Sequence, residues 1–246
     1  MIIHLYSILR NEIKILPYFL RHYQTFVNEF FIFDDDSDDG TAEELGKYKN
    51  ITILKPGMHG IDDRHFRGLH QNEYKLRSRG KCDIVICVDA DEFIYNSELV
   101  DELEKFKNSK NHIVKPEGWT MFSENFCNTD GQIYDEIKTG YRDVWYDKPI
   151  IFKPSIDIKW DLGRHGVKEV DMPGVVINKE SKIKLLHYRY LGKKYCEERH
   201  ARDYSRLSER NLKWKLGRHV IPGSKYYHSL KWFEHTKRHG EIIKCI

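Results

Sequence analysis

Ile84-Val85-Ile86-Cys87-Val88-Asp89-Ala90-Asp91-Glu92 is the stretch that decides the fold. Its five apolar residues in a row read as a strand buried on both faces, the mark of a parallel sheet covered by helices. The run ends abruptly in acids, and ligands of such sheets bind at the carboxyl ends of the strands. Two carboxylates one residue apart, aimed by the strand that feeds them, offer hard oxygens to Mg²⁺ or Mn²⁺ and leave positions open for phosphate oxygens. An isolated Asp-x-Asp triplet reads as a solvated turn. The apolar run before it and Glu92-Phe93-Ile94 after it raise this one above that reading.

Working outward, the same pattern recurs twice. Ile2–Ile8 is a strand that runs into Arg10-Asn11-Glu12, and Phe30-Phe31-Ile32-Phe33 is a strand that runs into Asp34-Asp35-Asp36-Ser37-Asp38-Asp39-Gly40. Between them Ile13, Leu16, Leu20 and Tyr23 fall at helical spacing, with Pro17 acceptable only in the first turn. Thr41 and Glu44 have the spacing of a capping box. Ile51–Leu54 makes a third strand, and helices are expected over 68–79 and 97–106. Alternating strands and helices predict an α/β fold with a mostly parallel, Rossmann-like sheet, so that the three polar clusters converge on one edge. The run of aspartates is no EF-hand: started at Asp34 it puts Asp39 where glycine is needed, and started at Asp35 it puts Gly46 where the bidentate glutamate is needed.

The second half is less regular, with strand pieces at 150–152, 175–177 and 183–186 and a basic helical stretch over 193–216. Residues 182–246 carry 17 Lys and Arg against 6 Asp and Glu, a net +11, which leaves −8 for residues 1–181 out of a total of +3. An acidic body and a basic tail suggest a metal-using site in the first and an anionic partner for the second. The five cysteines form no CxxC pair and read as reduced packing residues. Neither a signal peptide nor an 18-residue apolar run is present, so the expected location is cytoplasmic, at most peripheral at the inner face of a membrane. One unit is expected, with two halves over 1–110 and 111–246.

Arg10-Asn11-Glu12 with Leu16–Tyr23, then Phe31–Thr41, then Val88–Phe93 resemble, as an ordered set, glycosyltransferase family 2 of the GT-A fold. Asp147–Phe152, Gly163-Arg164-His165 and Leu185–Arg189 are similar to segments of bacterial surface-polysaccharide transferases of that group. The resemblance implies a nucleoside diphosphate sugar donor, here a UDP-sugar, a divalent metal (Mn²⁺ or Mg²⁺), and inversion at the anomeric carbon. It implies that Ser7, Leu9, Arg10 and Asn11 line the nucleoside, that Asp34 and Asp36 contact base or ribose, and that Asp89 contacts ribose or metal. Asp91 is then the direct metal ligand, with His187, at the end of the strand 183–186, completing the site and His165 as its competitor. Arg67, Lys148 and Arg189 are the candidates for stabilising the departing diphosphate. Glu117 and Asp161 are the candidates for the general base that an inverting displacement requires.

A metal-dependent nuclease or nucleotidyltransferase would use the same carboxylates, and a non-catalytic sugar-nucleotide or nucleic-acid-binding module is the further alternative. Tyr195, Tyr204, Trp214, Tyr226, Tyr227 and Trp232, interleaved with basic residues, could stack bases. Acids at the cleft would repel nucleic acid, which favours a partner other than nucleic acid. A glycan or lipid-linked glycan is the expected acceptor, with the basic tail facing anionic lipid or a lipid diphosphate.

Overall fold

The structure is a computed structural model that describes residues 1–217, 220–222, 231–239 and 241–242. The first half runs β1 (Ile3–Leu9), α1 (Leu16–Tyr23), β2 (Glu29–Asp34), α2 (Thr41–Leu45), β3 (Ile51–Leu54), α3 (Asp63–Arg77), β4 (Ile84–Cys87), β5 (Glu92–Tyr95) and α4 (Leu99–Asn108). The second half continues through β6 (Ile113–Val114), β7 (Glu117–Ser123), α5 (Ile133–Glu136), β8 (Thr139–Arg142), β9 (Ile151–Phe152), β10 (Ile177–Asn178) and β11 (Lys184–Leu191). It closes with α6 (Lys193–Ser205), α7 (Glu209–Lys213), α8 (Lys231–His239) and β12 (Glu241–Ile242).

Among the described residues the main sheet has the order β10-β6-β9-β4-β1-β2-β3. β4, β1, β2 and β3 run parallel, as continuous apolar runs demand, and β9 enters antiparallel between β4 and β6. This is the mixed α/β, Rossmann-like architecture expected of a GT-A protein. A second sheet, ordered β12-β8-β7-β11-β5, was not foreseen. It is fed by β5, which leaves the Asp89–Asp91 turn and pairs antiparallel with β11.

Local chemistry accounts for the elements that frame the cleft. Pro17 does fall in the first turn of α1, and Leu16, Phe19, Leu20 and Tyr23 are buried. Tyr23 Oη donates to the Glu92 carbonyl at 2.8 Å, and His22 Nε2 donates to the Ile94 carbonyl at 2.9 Å, so α1 clamps β5 behind the acidic turn. α3 starts five residues before the expected boundary because Asp62 caps it, its side chain accepting from His65 N at 2.9 Å. The capping box at Thr41 does not form. Gly40 holds the N-cap position at φ 94°, and Thr41 instead receives Glu12 N and donates to Asp39, which ties the β1 and β2 loops together. The basic stretch breaks between α6 and α7 rather than forming one helix, and His187 lies inside β11 rather than at a strand end. Among the described residues no helix is long and apolar enough to cross a membrane.

The 3₁₀ turn Val144–Tyr146 packs directly over Gly118 of β7. Gly118 N donates to Asp147 Oδ1 at 2.8 Å, and its carbonyl accepts from Asp143 N at 3.0 Å and from Arg142 Nη1 at 2.9 Å. A Cβ at this position would run into the Tyr146 backbone carbonyl, which has no flexible way out. Gly118→Ala is therefore expected to destabilise the protein by roughly 1–3 kcal/mol. The urea midpoint measures it, and an unchanged midpoint would show that the turn does not rest on this contact.

Candidate functional site

The carboxyl ends of β1, β2 and β4 open into a cleft of ≈ 440 Å³, within the usual range for a small-molecule site. Six acids line it, Glu12, Asp35, Asp63, Asp89, Asp91 and Asp203. Eight cationic side chains face them, Arg10, Arg67, Lys148, Arg164, Arg189, Arg199, Arg202 and Arg206. Such a density of buried charge persists only where each carboxylate has a partner, because an uncompensated buried ion costs several kcal/mol.

Asp89 and Asp91 face different partners. Arg164 bonds Asp89 Oδ1, and Lys148 Nζ stands 3.6 Å from Oδ2 while also pairing with the buried Glu92. Burial alone would raise the Asp89 pKa, but Arg164 and then Lys148 outweigh it and hold the carboxylate ionised well below its usual range. Arg164 itself has φ 60°, a left-handed conformation that a bulky residue adopts only under constraint. The constraint is visible. Its Nη1 donates to His70 Nε2 at 2.9 Å, and His70 Nδ1 donates to the Phe66 carbonyl at 3.0 Å. That arrangement needs a neutral His70, and burial followed by the Arg164 charge pushes its pKa down to about 3.

Asp91 is 1% exposed. His187 Nε2 donates to its Oδ2 at 3.0 Å, and Arg199 Nη1 reaches the same oxygen at 2.5 Å. Burial again opposes ionisation, and Arg199 with His187 outweigh it, so Asp91 too is held well below the ordinary value. Register explains why His187 is there. β5 begins immediately after the acidic turn and pairs His187 with Glu92, while Tyr188 N donates to the Asp91 carbonyl at 2.8 Å. A slip by one residue would send the imidazole to the opposite face of the sheet.

The remaining acids are met by one face of the basic tail. Arg199 and Arg202 both reach Glu12 Oε1, at 3.5 and 2.9 Å, and Arg206 meets Asp35 Oδ2 at 2.9 Å. Beyond α6, Arg210 meets Asp62 at 3.4 Å. Arg199 and Arg202 share one side of α6, Arg206 stands at its C-cap, and Arg210 belongs to α7. Four arginines of the tail are thus paired with the chain's own acids, three of them at strand ends. Tyr226 and Tyr227, also considered for that surface, lie outside the described residues.

Of the residues singled out in the sequence, Leu9, Arg10, Arg67, Asp89, Asp91, Lys148, Arg189, His187 and His165 line the cleft. Six others do not. Ser7 is fully buried, and Asn11 is turned to Asp38, its Nδ2 donating at 2.6 Å. Asp34 and Asp36 share Lys55, at 3.2 and 3.1 Å, so the aspartate that faces the cleft is Asp35. Glu117 is held by Arg142 at 3.1 Å. Asp161 is exposed on the hairpin closed by the Trp160–Val167 bridge, next to the lining residues Leu162–His165. Arg164, Arg199, Arg202, Arg206 and His70 were not assigned from sequence. A signal existed for three of them, since Arg199, Arg202 and Arg206 repeat at helical spacing in a stretch whose apolar stripe is thin.

The model of the family described as glycosyl transferase family 2 matches residues 8–155, more than half of the chain and all three strand-end clusters. The chain belongs to glycosyl transferase family 2. It is a glycosyltransferase with the GT-A fold, acting with a nucleotide sugar. No curated protein matches the sequence. Solved structures similar to this transferase include S. aureus TarS 1-349 in complex with UDP, at 16% identity over 94% of this chain and 75% of that one, with a TM-score of 0.48. S. aureus TarS 1-349 in complex with UDP-GlcNAc shows 13% identity over 95% and 73% of the two chains, with a TM-score of 0.46. Mannosyl-3-phosphoglycerate synthase from Rubrobacter xylanophilus shows 14% identity over 48% and 40%, with a TM-score of 0.36.

The buried neutral histidines make stability pH-dependent. His70 near the cleft and His22 in the core have folded pKa values of about 3 and about 4, lowered chiefly by burial from 6.5. Each contributes stability that is complete above pH 6.5 and is lost as the pH falls toward those values, at about 1.4 kcal/mol per pH unit per histidine. Asp89 and Asp91, with depressed values, begin to lose their contribution only as the pH falls into the ordinary carboxylate range, where the unfolded chain takes up protons. Urea unfolding at pH 7 and pH 5 is expected to show a clear loss at the lower pH, reduced in His22→Gln. Equal stability at the two values would mean that these imidazoles are not buried neutral.

Proposed function

We propose that the cleft binds a nucleoside diphosphate sugar with a divalent cation and transfers the sugar, with inversion, to a hydroxyl of a glycan or lipid-linked glycan. The observation that carries this reading is the convergence of Asp91, His187 and a set of arginines and lysine at the ends of β1 and β4. A binding scaffold has no need to hold two ionised carboxylates within a cationic ring at such desolvation cost. A nuclease site would use the same acids, but the match to the family covers the whole set of strand ends and favours sugar transfer.

The residues present fit a cation. Asp91 Oδ1 and His187 Nδ1 are both buried and without a hydrogen-bond partner. The Asp91 carboxylate is a hard donor suited to Mn²⁺, with the imidazole of His187 bonded to it through Nε2, and diphosphate oxygens would supply further positions. Among the described residues no group of three His, Cys, Asp or Glu side chains forms a cage for an ion, so substrate oxygens would have to complete the site. Asp91 and His187 would hold the cation, and Asp89, already engaged by Arg164 and Lys148, would sit beside it. When bound, the cation supplies positive charge against the diphosphate leaving group.

The chain's own residues do the rest. Arg199, which bonds Asp91, stands with Lys148 and Arg189 in the same cleft, where their positive charge would face the diphosphate. These fixed charges need little reorganisation as negative charge grows on the leaving oxygen. Leu9 and Arg10 at the end of β1 and Asp35 at the end of β2 face the nucleoside. Of the two candidate bases, Asp161 takes the acceptor proton. It is exposed beside the cleft-lining residues Leu162–His165, whereas Glu117 is neutralised by Arg142.

Calorimetric titration with UDP, GDP and dTDP, with and without Mn²⁺, tests the reading. The expected result is Mn²⁺-dependent binding of one nucleotide, UDP in the first instance, weakened at least about tenfold in Asp91→Ala. Absence of binding by all three would overturn the donor site.

A further inference from the structure

We propose that Trp145 and His165 form a carbohydrate-binding subsite at the mouth of the cleft, which seats the acceptor sugar against the donor; the assignment of this sugar as acceptor rests on the reading above. Trp145 is 64% exposed, and Val144 beside it 73%. An indole left open to solvent forfeits a large hydrophobic gain, yet this one lines a polar, charge-rich cleft.

The platform is built rather than loose. Trp145 N donates to Asp143 Oδ1 at 3.0 Å, Tyr146 N to the Asp143 carbonyl at 2.9 Å, and the Asp143 carboxylate also accepts from Thr120 Oγ1 at 3.2 Å. From below, Gly118 admits the turn as described. The His165 ring lies 4.7 Å from the indole centroid at 35°, and its Nδ1 bonds the Trp145 carbonyl at 2.8 Å. A carbonyl only accepts, so Nδ1 carries the proton and Nε2 of the neutral ring presents a lone pair. Burial, with Lys148 next, lowers the His165 pKa to about 3 and keeps the ring neutral.

An apolar plane with a hydrogen-bond acceptor beside it matches one class of ligand, a pyranose ring. Its C–H face covers an indole, and a hydroxyl on its edge donates to an imidazole nitrogen. Position argues that this ring belongs to the acceptor. In the sheet order β9-β4-β1-β2, the ends of β1 and β2 that face the nucleoside lie on one side of Asp89. The segment from Trp145 to Lys148 leads into β9 on the other side. The subsite also adjoins the reacting centre, since the Tyr146 ring packs against His187 with centroids 4.2 Å apart, and His165 follows the Arg164 that holds Asp89.

The test uses the whole chain with Mn²⁺ and UDP, titrated with methyl glycosides of glucose, galactose, mannose and N-acetylglucosamine and read by saturation-transfer NMR. At least one glycoside is expected to bind the wild type and to bind Trp145→Ala about five- to tenfold more weakly, with Trp145→Tyr close to wild type. UDP affinity of Trp145→Ala, read by calorimetry, is expected to stay unchanged. Unchanged glycoside binding in Trp145→Ala, or no glycoside binding to the wild type, overturns the subsite. A UDP affinity lost in Trp145→Ala overturns it too, because the indole would then stack the base. Failure of wild type to bind any nucleotide would sink the donor site instead, while the glycoside titration of the nucleotide-free protein still reads the subsite on its own terms.

Discussion

Buried negative charge at the strand ends is the constraint on which the rest of the structure depends. A parallel sheet delivers the ends of β1, β2 and β4 to one edge, and each brings carboxylates that burial would force to neutralise. Ionised, they need cations at hydrogen-bond distance. Arg164 and Lys148 meet Asp89, Arg199 meets Asp91, Arg199 and Arg202 meet Glu12, and Arg206 meets Asp35. Three arginines of the tail, Arg199, Arg202 and Arg206, thus pair across the cleft with acids of the first half.

This electrostatic closure has a functional consequence. A cleft whose acids are already paired with guanidinium groups contains the charge that a diphosphate needs, held in place before the ligand arrives. In the proposed reading, a cation at Asp91 and phosphates at the arginines would keep the charge of the cleft balanced. Asp91 Oδ1, buried and without a hydrogen-bond partner, marks where such a cation would sit.

The second sheet gives the site its other half. β5 continues from the acidic turn, β11 pairs with it, and β7 pairs with β11 and supports the turn that carries Trp145. One continuous set of hydrogen-bonded strands thus links Asp91, His187 and the aromatic platform. The acidic turn and the turn that carries Trp145 are mounted on the same ladder, which fixes their separation more firmly than loops would.

The N-terminal half was legible in the sequence because its information is local. Val88 and the apolar residues before it fix a buried strand, Asp89 and Asp91 follow at its end, and Pro17 could only stand in a first turn. Propensity, periodicity and chain order suffice for such features. The aspartate of the Asp34–Asp39 run that faces the cleft was not local information. Adjacent positions on an irregular turn point in different directions, and Lys55 draws Asp34 and Asp36 away while Asp35 faces Arg206. Contacts across the chain were hidden for the same reason. Arg199 lies 108 residues from Asp91, and Arg164 lies 75 residues from Asp89. The sequence by itself determined the parallel sheet, the acidic strand ends and the family. Only the tertiary structure decided which cation meets which acid and where the indole stands, because strand register and the docking of α6 are set by packing between segments that no local pattern connects.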